Sequence, residues 1–208
     1  MSENINSRWT VDFPERLARV TEFAARHFLN EKRKGTEIPY MSHLMAVAAG
    51  VYELGGGPDE VLAALLHDVL EDQDVDPSEI EALAGPEVAR IVINCSDSLK
   101  KKGPKAPWKE RKLAALENIK NLDPPSLRVV LADKLHNSRC IVRDLRIVGS
   151  ETLWNRFSAG REEIIWYYNN LAAIFALHPD LKITPEAQEL QRNAETMTQE
   201  LERSGKNK

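Results

Sequence analysis

The chain has 208 residues, 42% of them hydrophobic and 29% charged, a composition typical of a globular protein with one sizeable core. Its formal net charge is −4, which does not indicate a general nucleic-acid or anionic-membrane binder. No apolar run approaches the ~20 residues needed to span a bilayer, and the first residues lack the layout of a signal peptide. The two cysteines, Cys95 and Cys140, stand in helical patterns and favour free thiols. We therefore expect a cytoplasmic protein with neither nucleic acid nor a membrane as its partner.

Apolar residues recur at spacings of three and four along the chain, and no two-residue alternation indicates a strand. We predict an all-α fold, a single bundle of roughly nine to eleven helices, with ends marked by proline, aspartate and glycine. The predicted helices, in chain order, span 13–29, 41–54, 58–71, a short segment from 77, 86–96, 108–119, 124–145, 152–157, 161–177 and 185–203. Residues 1–12 are predicted to be a partly flexible N-terminal segment, 13–180 the domain, and 181–208 a C-terminal helix with a frayed tail.

Two imidazoles and two carboxylates interrupt these apolar patterns. His67 and Asp68 are neighbours on the third predicted helix, His43 lies on the second, and Asp133 lies on the long helix. Because an unpaired buried charge is expensive, a shared divalent metal ion is the simplest partner for this set. Two imidazoles and two carboxylates suit Mn²⁺, Fe²⁺ or Zn²⁺ with positions open for water. Such an ion would lower the pKa of a bound water and could polarise a phosphoryl oxygen.

Further polar residues follow the candidate ligands at helical spacing. Glu71 and Asp72 lie three and four positions after the aspartate of the His-Asp pair, where a carboxylate can orient or deprotonate an attacking water. His136 and Asn137 follow Asp133 at the same spacing and could support a ligand or hydrogen-bond one. Each feature alone has a simpler interpretation: a surface pair, a solvated helix end, or a surface ion pair at Asp133. The ordered set is what favours a metal site.

With their flanking residues, these positions resemble the HD-domain metal-dependent phosphohydrolases. Within them, the chain is similar to the hydrolase domain of the RelA/SpoT family and to the stand-alone small alarmone hydrolases. The matching sequence motifs are Arg33-Lys34, Pro39-Tyr40-x-x-His43, Ala64-Leu65-Leu66-His67-Asp68-Val69-x-Glu71-Asp72 and Leu131-Ala132-Asp133-Lys134-Leu135-His136-Asn137. The resemblance implies a single HD domain over residues 13–180.

The resemblance also implies a reaction and roles for the matching residues. The reaction removes the 3′-pyrophosphate from guanosine tetra- or pentaphosphate, which is a guanosine-3′,5′-bis(diphosphate) 3′-pyrophosphohydrolase activity. The metal is usually Mn²⁺, with Fe²⁺, Zn²⁺ and Mg²⁺ as alternatives. The implied metal ligands are His43, His67, Asp68 and Asp133. Glu71 and Asp72 match the acidic pair that activates the water. Arg33, Lys34 and Asn137 match residues that contact the guanosine nucleotide.

Other interpretations remain open on the sequence. An HD phosphohydrolase of another nucleotide or phosphorylated cofactor would use the same metal site. A non-catalytic nucleotide-sensing module would keep the fold, but it is expected to have lost a ligand or the acidic pair, and all of these are present. The basic segments Lys100–Lys105 and Trp108–Lys112, with Arg161 and Tyr167, are candidate substrate contacts or else ordinary surface and core positions. The C-terminal helix could pack on its own domain or on a second copy, which would make a homo-oligomer.

Overall fold

The structure is a computed structural model that describes residues 9–96, 106–179, 181 and 184–206. Within these ranges the chain is helical apart from turns and one isolated bridge between Lys32 and Pro39, which confirms the all-α prediction. The helices are α1 (Phe13–His27), α2 (Met41–Glu53), α3 (Pro58–Leu66), α4 (Val69–Asp72), α5 (Pro77–Ala84), α6 (Pro86–Cys95), α7 (Trp108–Ile119), α8 (Pro124–Val148), α9 (Ser150–Trp154), α10 (Arg161–Leu177) and α11 (Pro185–Lys206). None of the helices so described is long and apolar enough to cross a membrane.

Some predictions concern residues outside this description. They include most of the N-terminal segment 1–12, the whole of the basic segment Lys100–Lys105, and the end of the C-terminal tail. The division of the chain at residues 12 and 180 also stays a prediction.

Local signals set most helix ends, as the sequence predicts. At α5 the Asp76 carboxylate accepts from the Ser78 backbone N–H at 3.2 Å, and the Glu79 carboxylate accepts from the Asp76 backbone N–H at 2.8 Å. This reciprocal cap satisfies amide groups that have no partner within the helix. Gly85, between α5 and α6, has a φ of 97°, a backbone conformation that side chains other than that of glycine rarely adopt.

The prediction of one continuous helix over 58–71 is wrong. Helix α3 ends at Leu66, and the short helix α4 begins at Val69, so His67 and Asp68 form a turn between them. Asp68 has φ −97° and ψ −4°, away from the α-helical ψ near −42°. Its carbonyl oxygen accepts from the backbone N–H groups of Glu71 and Asp72 at 3.2 and 3.0 Å, which starts the next helical turn.

The described residues fall into two compact units, and the boundary lies inside α8, between Ala132 and Asp133. The first unit comprises the described part of Met1–Gly103 together with Leu122–Ala132. Its central element is α3, in which every residue from Glu60 to Leu66 is buried. Helix α3 packs against α1, α2 and α6. Gly50 of α2 faces Ala132 so closely that an added Cβ would lie 3.3 Å from the Ala132 Cβ, so the start of α8 also lies close to α2.

The second unit comprises the described part of Pro104–Asn121 and Asp133–Lys208. Helix α10 is its centre and packs against α7 and α11. The buried face of α11 contains Ala187, Leu190, Ala194 and Met197. Polar contacts also join α11 to α8: Arg139 donates two hydrogen bonds to the Glu189 carboxylate, each 2.7 Å long. The C-terminal helix therefore packs on its own chain.

Candidate metal centre

His67 lies at the end of α3, and its imidazole is only 3% exposed. Its Nδ1 atom lies 2.7 Å from the carbonyl oxygen of Ala64. Because a carbonyl oxygen can only accept, Nδ1 carries the proton and Nε2 presents its lone pair. A histidine that binds a metal ion through one ring nitrogen commonly donates from the other nitrogen in this way.

His43 lies on the first turn of α2, and its side chain is 1% exposed. The two imidazole rings meet edge to face, with centroids 5.1 Å apart and planes 71° apart. Helices α2 and α3 therefore place two buried imidazoles side by side. Two histidines with this separation are common in metal sites, but they also occur as core packing, so the carboxylates decide between these interpretations.

The Asp68 carboxylate turns toward both imidazoles. Its Oδ2 atom lies 3.0 Å from His67 Nε2 and 3.5 Å from His43 Nε2. On a regular helix the directions of neighbouring side chains differ by about 100°, so both can face one ion only if it lies between those directions. The His67 lone pair and the carboxylate oxygen both act as acceptors, and they repel each other unless a cation or a proton lies between them. This donor set therefore fits a divalent cation.

Asp133 is the fourth predicted ligand, and α8 holds it at a position only 6% exposed. It belongs to the second compact unit, whereas the other three predicted ligands belong to the first. Lys134 donates to Asp133 Oδ2 at 2.6 Å, and Asn137 donates to Asp133 Oδ1 at 2.5 Å. Asp133 is thus in an ion pair, as one interpretation of the sequence allowed, but it is not at the surface. Within the first unit the structure brings three predicted ligands, His43, His67 and Asp68, together, and Asp133 as the fourth ligand stays a prediction.

The predicted acidic pair lies on α4, the short helix that follows the turn. Glu71 is half-buried and Asp72 is exposed. Both residues are tied to the turn through backbone hydrogen bonds to the Asp68 carbonyl oxygen. The acidic pair therefore stays within one helical turn of a predicted ligand, even though the predicted continuous helix does not form.

The predicted substrate contacts Arg33 and Lys34 lie in the loop between α1 and α2. The Arg33 backbone N–H donates to the Ile38 carbonyl oxygen at 2.8 Å, which closes the loop. The Arg33 guanidinium lies over the ring of Tyr40, 5.6 Å from its centroid, whereas Lys34 is exposed. Arg33 is therefore connected to the site through Tyr40.

Sequence reasoning gave no role to Tyr40. Its hydroxyl donates to Asp68 Oδ2 at 2.5 Å, and its ring meets the His43 imidazole edge to face. The signal in the sequence was the motif Pro-Tyr-x-x-His, in which the tyrosine lies three residues before a predicted ligand. The motif did not show that the phenol reaches Asp68, 28 positions away.

The basic segment at the start of α7 packs within the second unit. Lys109 Nζ lies 5.3 Å from the Trp166 ring centroid, and Lys112 Nζ lies 5.2 Å from that of Tyr167. Trp108 also meets the Tyr167 ring edge to face, at 6.0 Å between centroids. Tyr167 is buried on α10. These contacts are packing between α7 and α10, and the candidate substrate role of this segment stays a prediction.

Comparison with known proteins places the chain in a family. The sequence profile of the HD domain matches residues 21–165. Human guanosine-3′,5′-bis(diphosphate) 3′-pyrophosphohydrolase MESH1 is 37% identical over 130 residues, which is 61% of this chain and 70% of the human protein. The crystal structure of lmo0812 from Listeria monocytogenes superimposes with a TM-score of 0.64 at 27% identity, covering 74% of this chain and 96% of that one.

A second solved structure has the same fold. It is that of a metazoan ortholog of SpoT that hydrolyzes ppGpp, and it superimposes with a TM-score of 0.63 at 24% identity. The match covers 92% of this chain and 96% of that protein. At this level of identity the likeness bears on the fold alone.

The chain belongs to the HD domain family, whose profile covers more than half of its length. It is a metal-dependent hydrolase, and a divalent metal ion is its cofactor.

Proposed function

We propose that the protein is an alarmone hydrolase that removes the 3′-pyrophosphate from guanosine-3′,5′-bis(diphosphate). The observation that carries the proposal is a pair of buried imidazoles that face one carboxylate, in a chain 37% identical to an enzyme named for that reaction. The proposal includes a cytoplasmic location and a phosphorylated nucleotide as the substrate.

The proposed ligands of the metal ion are His43, His67, Asp68 and Asp133. Their donor types suit Mn²⁺, Fe²⁺ or Zn²⁺, with Mg²⁺ as a further alternative, and the resemblance to the alarmone hydrolases favours Mn²⁺. When bound, the ion supplies a Lewis acid that lowers the pKa of water and polarises a phosphoryl oxygen. The protein side of this task is orientation, because the Ala64 carbonyl holds the His67 ring and the Lys134 and Asn137 side chains hold the Asp133 carboxylate.

Glu71 and Asp72 are the proposed acid–base residues. In the proposed reaction, a water oxygen bonds to the phosphorus attached to the ribose 3′-oxygen, and the bond between that phosphorus and the 3′-oxygen breaks. The water loses a proton to a carboxylate, and the 3′-oxygen gains one as pyrophosphate leaves. Half-buried Glu71 is the better placed of the two to keep a proton away from bulk water.

Arg33, Lys34 and Asn137 are the proposed substrate contacts. The planar guanidinium of Arg33 can donate two hydrogen bonds to a phosphate, whereas the ammonium of Lys34 is a compact point charge. Asn137 donates to Asp133, so a nucleotide held by Asn137 would lie next to a proposed metal ligand. Together these groups offset the negative charge of the phosphates while the substrate is positioned.

The decisive experiment measures release of pyrophosphate from guanosine tetraphosphate by the purified protein with added Mn²⁺. Asp68→Ala removes a carboxylate from the cluster and should abolish release while circular dichroism remains helical. Glu81→Ala removes an exposed carboxylate of α5 and should leave release unchanged. No release by wild-type protein that binds one equivalent of Mn²⁺ would contradict this substrate, and other phosphorylated nucleotides would then be assayed.

A further inference from the structure

Tyr40 contacts two residues that have different roles in the proposed function: Asp68, a proposed metal ligand, and Arg33, a proposed substrate contact. We propose that Tyr40 is a positioning residue that links them. Its hydroxyl fixes the Asp68 carboxylate for the metal ion, and its ring face holds the Arg33 guanidinium for the substrate. The second task depends on the proposed function, whereas the first depends only on metal binding.

The hydroxyl acts on the carboxylate oxygen that faces both imidazoles. Tyr40 donates to Asp68 Oδ2 at 2.5 Å, and this same oxygen lies 3.0 Å from His67 Nε2. A hydrogen bond to an ionised carboxylate is stronger than one between neutral groups. Asp68 lies in a turn rather than within a helix, so its side chain has less support from neighbouring turns. The phenol supplies that support.

Tyr40 is itself held on several sides. Its backbone N–H donates to the Glu31 carbonyl oxygen at 2.8 Å, and its own carbonyl oxygen accepts from the His43 N–H at 2.8 Å. Its ring stacks on the buried ring of Phe28, with centroids 5.0 Å apart and planes 13° apart. A rigidly held phenol can fix a carboxylate without ordering itself on binding, which is the requirement for a preorganised site.

The ring of the same residue faces the Arg33 guanidinium, 5.6 Å from its centroid. A planar cation over an aromatic face is attracted by the negative charge of that face. The loop hydrogen bond from the Arg33 backbone N–H to Ile38 limits where the side chain can start. The Tyr40 ring then limits the positions that the Arg33 guanidinium can take, so the cation is already in place when a phosphate arrives.

Packing alone does not account for a tyrosine at this position. A phenylalanine would make the same stack with Phe28 and the same face toward Arg33. The hydroxyl is the added group, and it reaches a proposed metal ligand. Tyr40→Phe therefore separates the two tasks, because it removes the hydrogen bond and keeps the ring.

The test compares Mn²⁺ titration by calorimetry with steady-state kinetics on guanosine tetraphosphate. For Tyr40→Phe we expect the Mn²⁺ dissociation constant to rise roughly ten- to a hundredfold, as is typical when a group that orients a metal ligand is removed. At saturating Mn²⁺ its KM should equal that of the wild type. Tyr40→Leu should weaken Mn²⁺ binding equally and also raise KM. Tyr52→Phe makes the same chemical change at an exposed tyrosine of α2 and should alter neither quantity.

Wild-type Mn²⁺ affinity in Tyr40→Phe would overturn the hydroxyl's task, and equal KM in Tyr40→Phe and Tyr40→Leu would overturn the ring's task. If Tyr40→Leu does not fold, Tyr40→Met takes its place, since an unbranched side chain can fill the site and lacks the aromatic face. A KM above that of Tyr40→Phe then supports the ring's task, and a KM equal to that of Tyr40→Phe contradicts it. Because the titration uses no nucleotide, a protein that binds Mn²⁺ but does not release pyrophosphate contradicts the proposed function, while the titration still decides the hydroxyl's task.

Discussion

At the scale of single residues, the main feature of the candidate site is the turn at His67 and Asp68. His67 gives its Nδ1 proton to the Ala64 carbonyl oxygen, an acceptor that a continuing helix would use for the Asp68 backbone N–H. The chain leaves the α-helical conformation one residue later, at Asp68. The same hydrogen bond therefore orients the imidazole and accompanies the end of α3.

One substitution can separate the proposed role of Glu71 as general base from metal binding. Glu71→Gln keeps the size and most of the polarity of the side chain but cannot accept the proton of the attacking water. We expect Mn²⁺ affinity to stay at the wild-type value and turnover of guanosine tetraphosphate to fall roughly 10²- to 10⁴-fold, the usual contribution of a general base. Calorimetry and an assay of pyrophosphate release measure the two quantities.

A matched control for this change is Glu81→Gln, which alters an exposed glutamate on α5 and should leave both quantities unchanged. Loss of Mn²⁺ binding in Glu71→Gln would show instead that Glu71 is a ligand or an essential support of one. Unchanged turnover would remove Glu71 from the proposed mechanism.

At the scale of elements, a polar network joins α6 to the start of α8. The Arg90 guanidinium donates to both oxygens of the Asp123 carboxylate, at 2.9 Å each, and Ser126 donates to the same carboxylate at 2.6 Å. Asn94 also donates to Ser126 Oγ at 3.1 Å. Asp123 precedes the first residue of α8, where a negative charge is favourable to the helix. The network thus anchors the N-terminal end of the helix that carries Asp133.

This network predicts a dependence of stability on acid. The hydrogen bonds from Arg90, followed by that from Ser126, lower the pKa of Asp123 from 3.8 to about 2. A carboxyl group whose pKa is lower in the folded state stabilises the fold above its unfolded pKa, and this contribution is lost as pH falls through the folded pKa. The stabilisation by Asp123 should therefore be complete above about pH 5 and lost progressively between about pH 4 and pH 2.

Asp123→Asn tests this prediction because it removes the charge and keeps the shape. The free energy of unfolding, measured in urea, should be lower than that of the wild type at pH 7, and the difference should shrink from pH 4 toward pH 2. Glu81→Gln, at an exposed position of α5, should show little difference at either pH. A difference between Asp123→Asn and wild type that is as large at pH 2.5 as at pH 7 would contradict the assignment.

At the scale of the whole molecule, the features that the sequence predicts are those set by nearby residues. Helix α7 begins at Trp108 and ends at Ile119 as predicted, and α5 begins after its Asp76 cap. Proline, aspartate and glycine act within a few positions of themselves, so a pattern of residues records their effect. The types of the candidate ligands were likewise visible, because charged groups interrupted apolar helical patterns.

The features that the sequence does not predict depend on contacts of individual side chains. The break after Leu66 has no proline or glycine to mark it, and it accompanies a hydrogen bond of an imidazole ring. The contact between Tyr40 and Asp68 joins residues on different elements, so helical spacing says nothing about it.

The proposed ligands come from α2, the turn after α3 and α8, so an ion that needs all of them would bind the folded chain alone. A ligand that binds the folded state alone stabilises it by RT ln(1 + [L]/Kd), about 2.7 kcal/mol at a hundredfold excess over Kd. We therefore expect the Tm of the wild-type protein, freed of metal with a chelator, to rise by several degrees when Mn²⁺ is restored. Asp68→Ala should show no such rise, whereas Glu81→Ala should rise as the wild type does. An equal rise in Asp68→Ala would mean that Mn²⁺ stabilises the fold at some other place and that the cluster does not hold it.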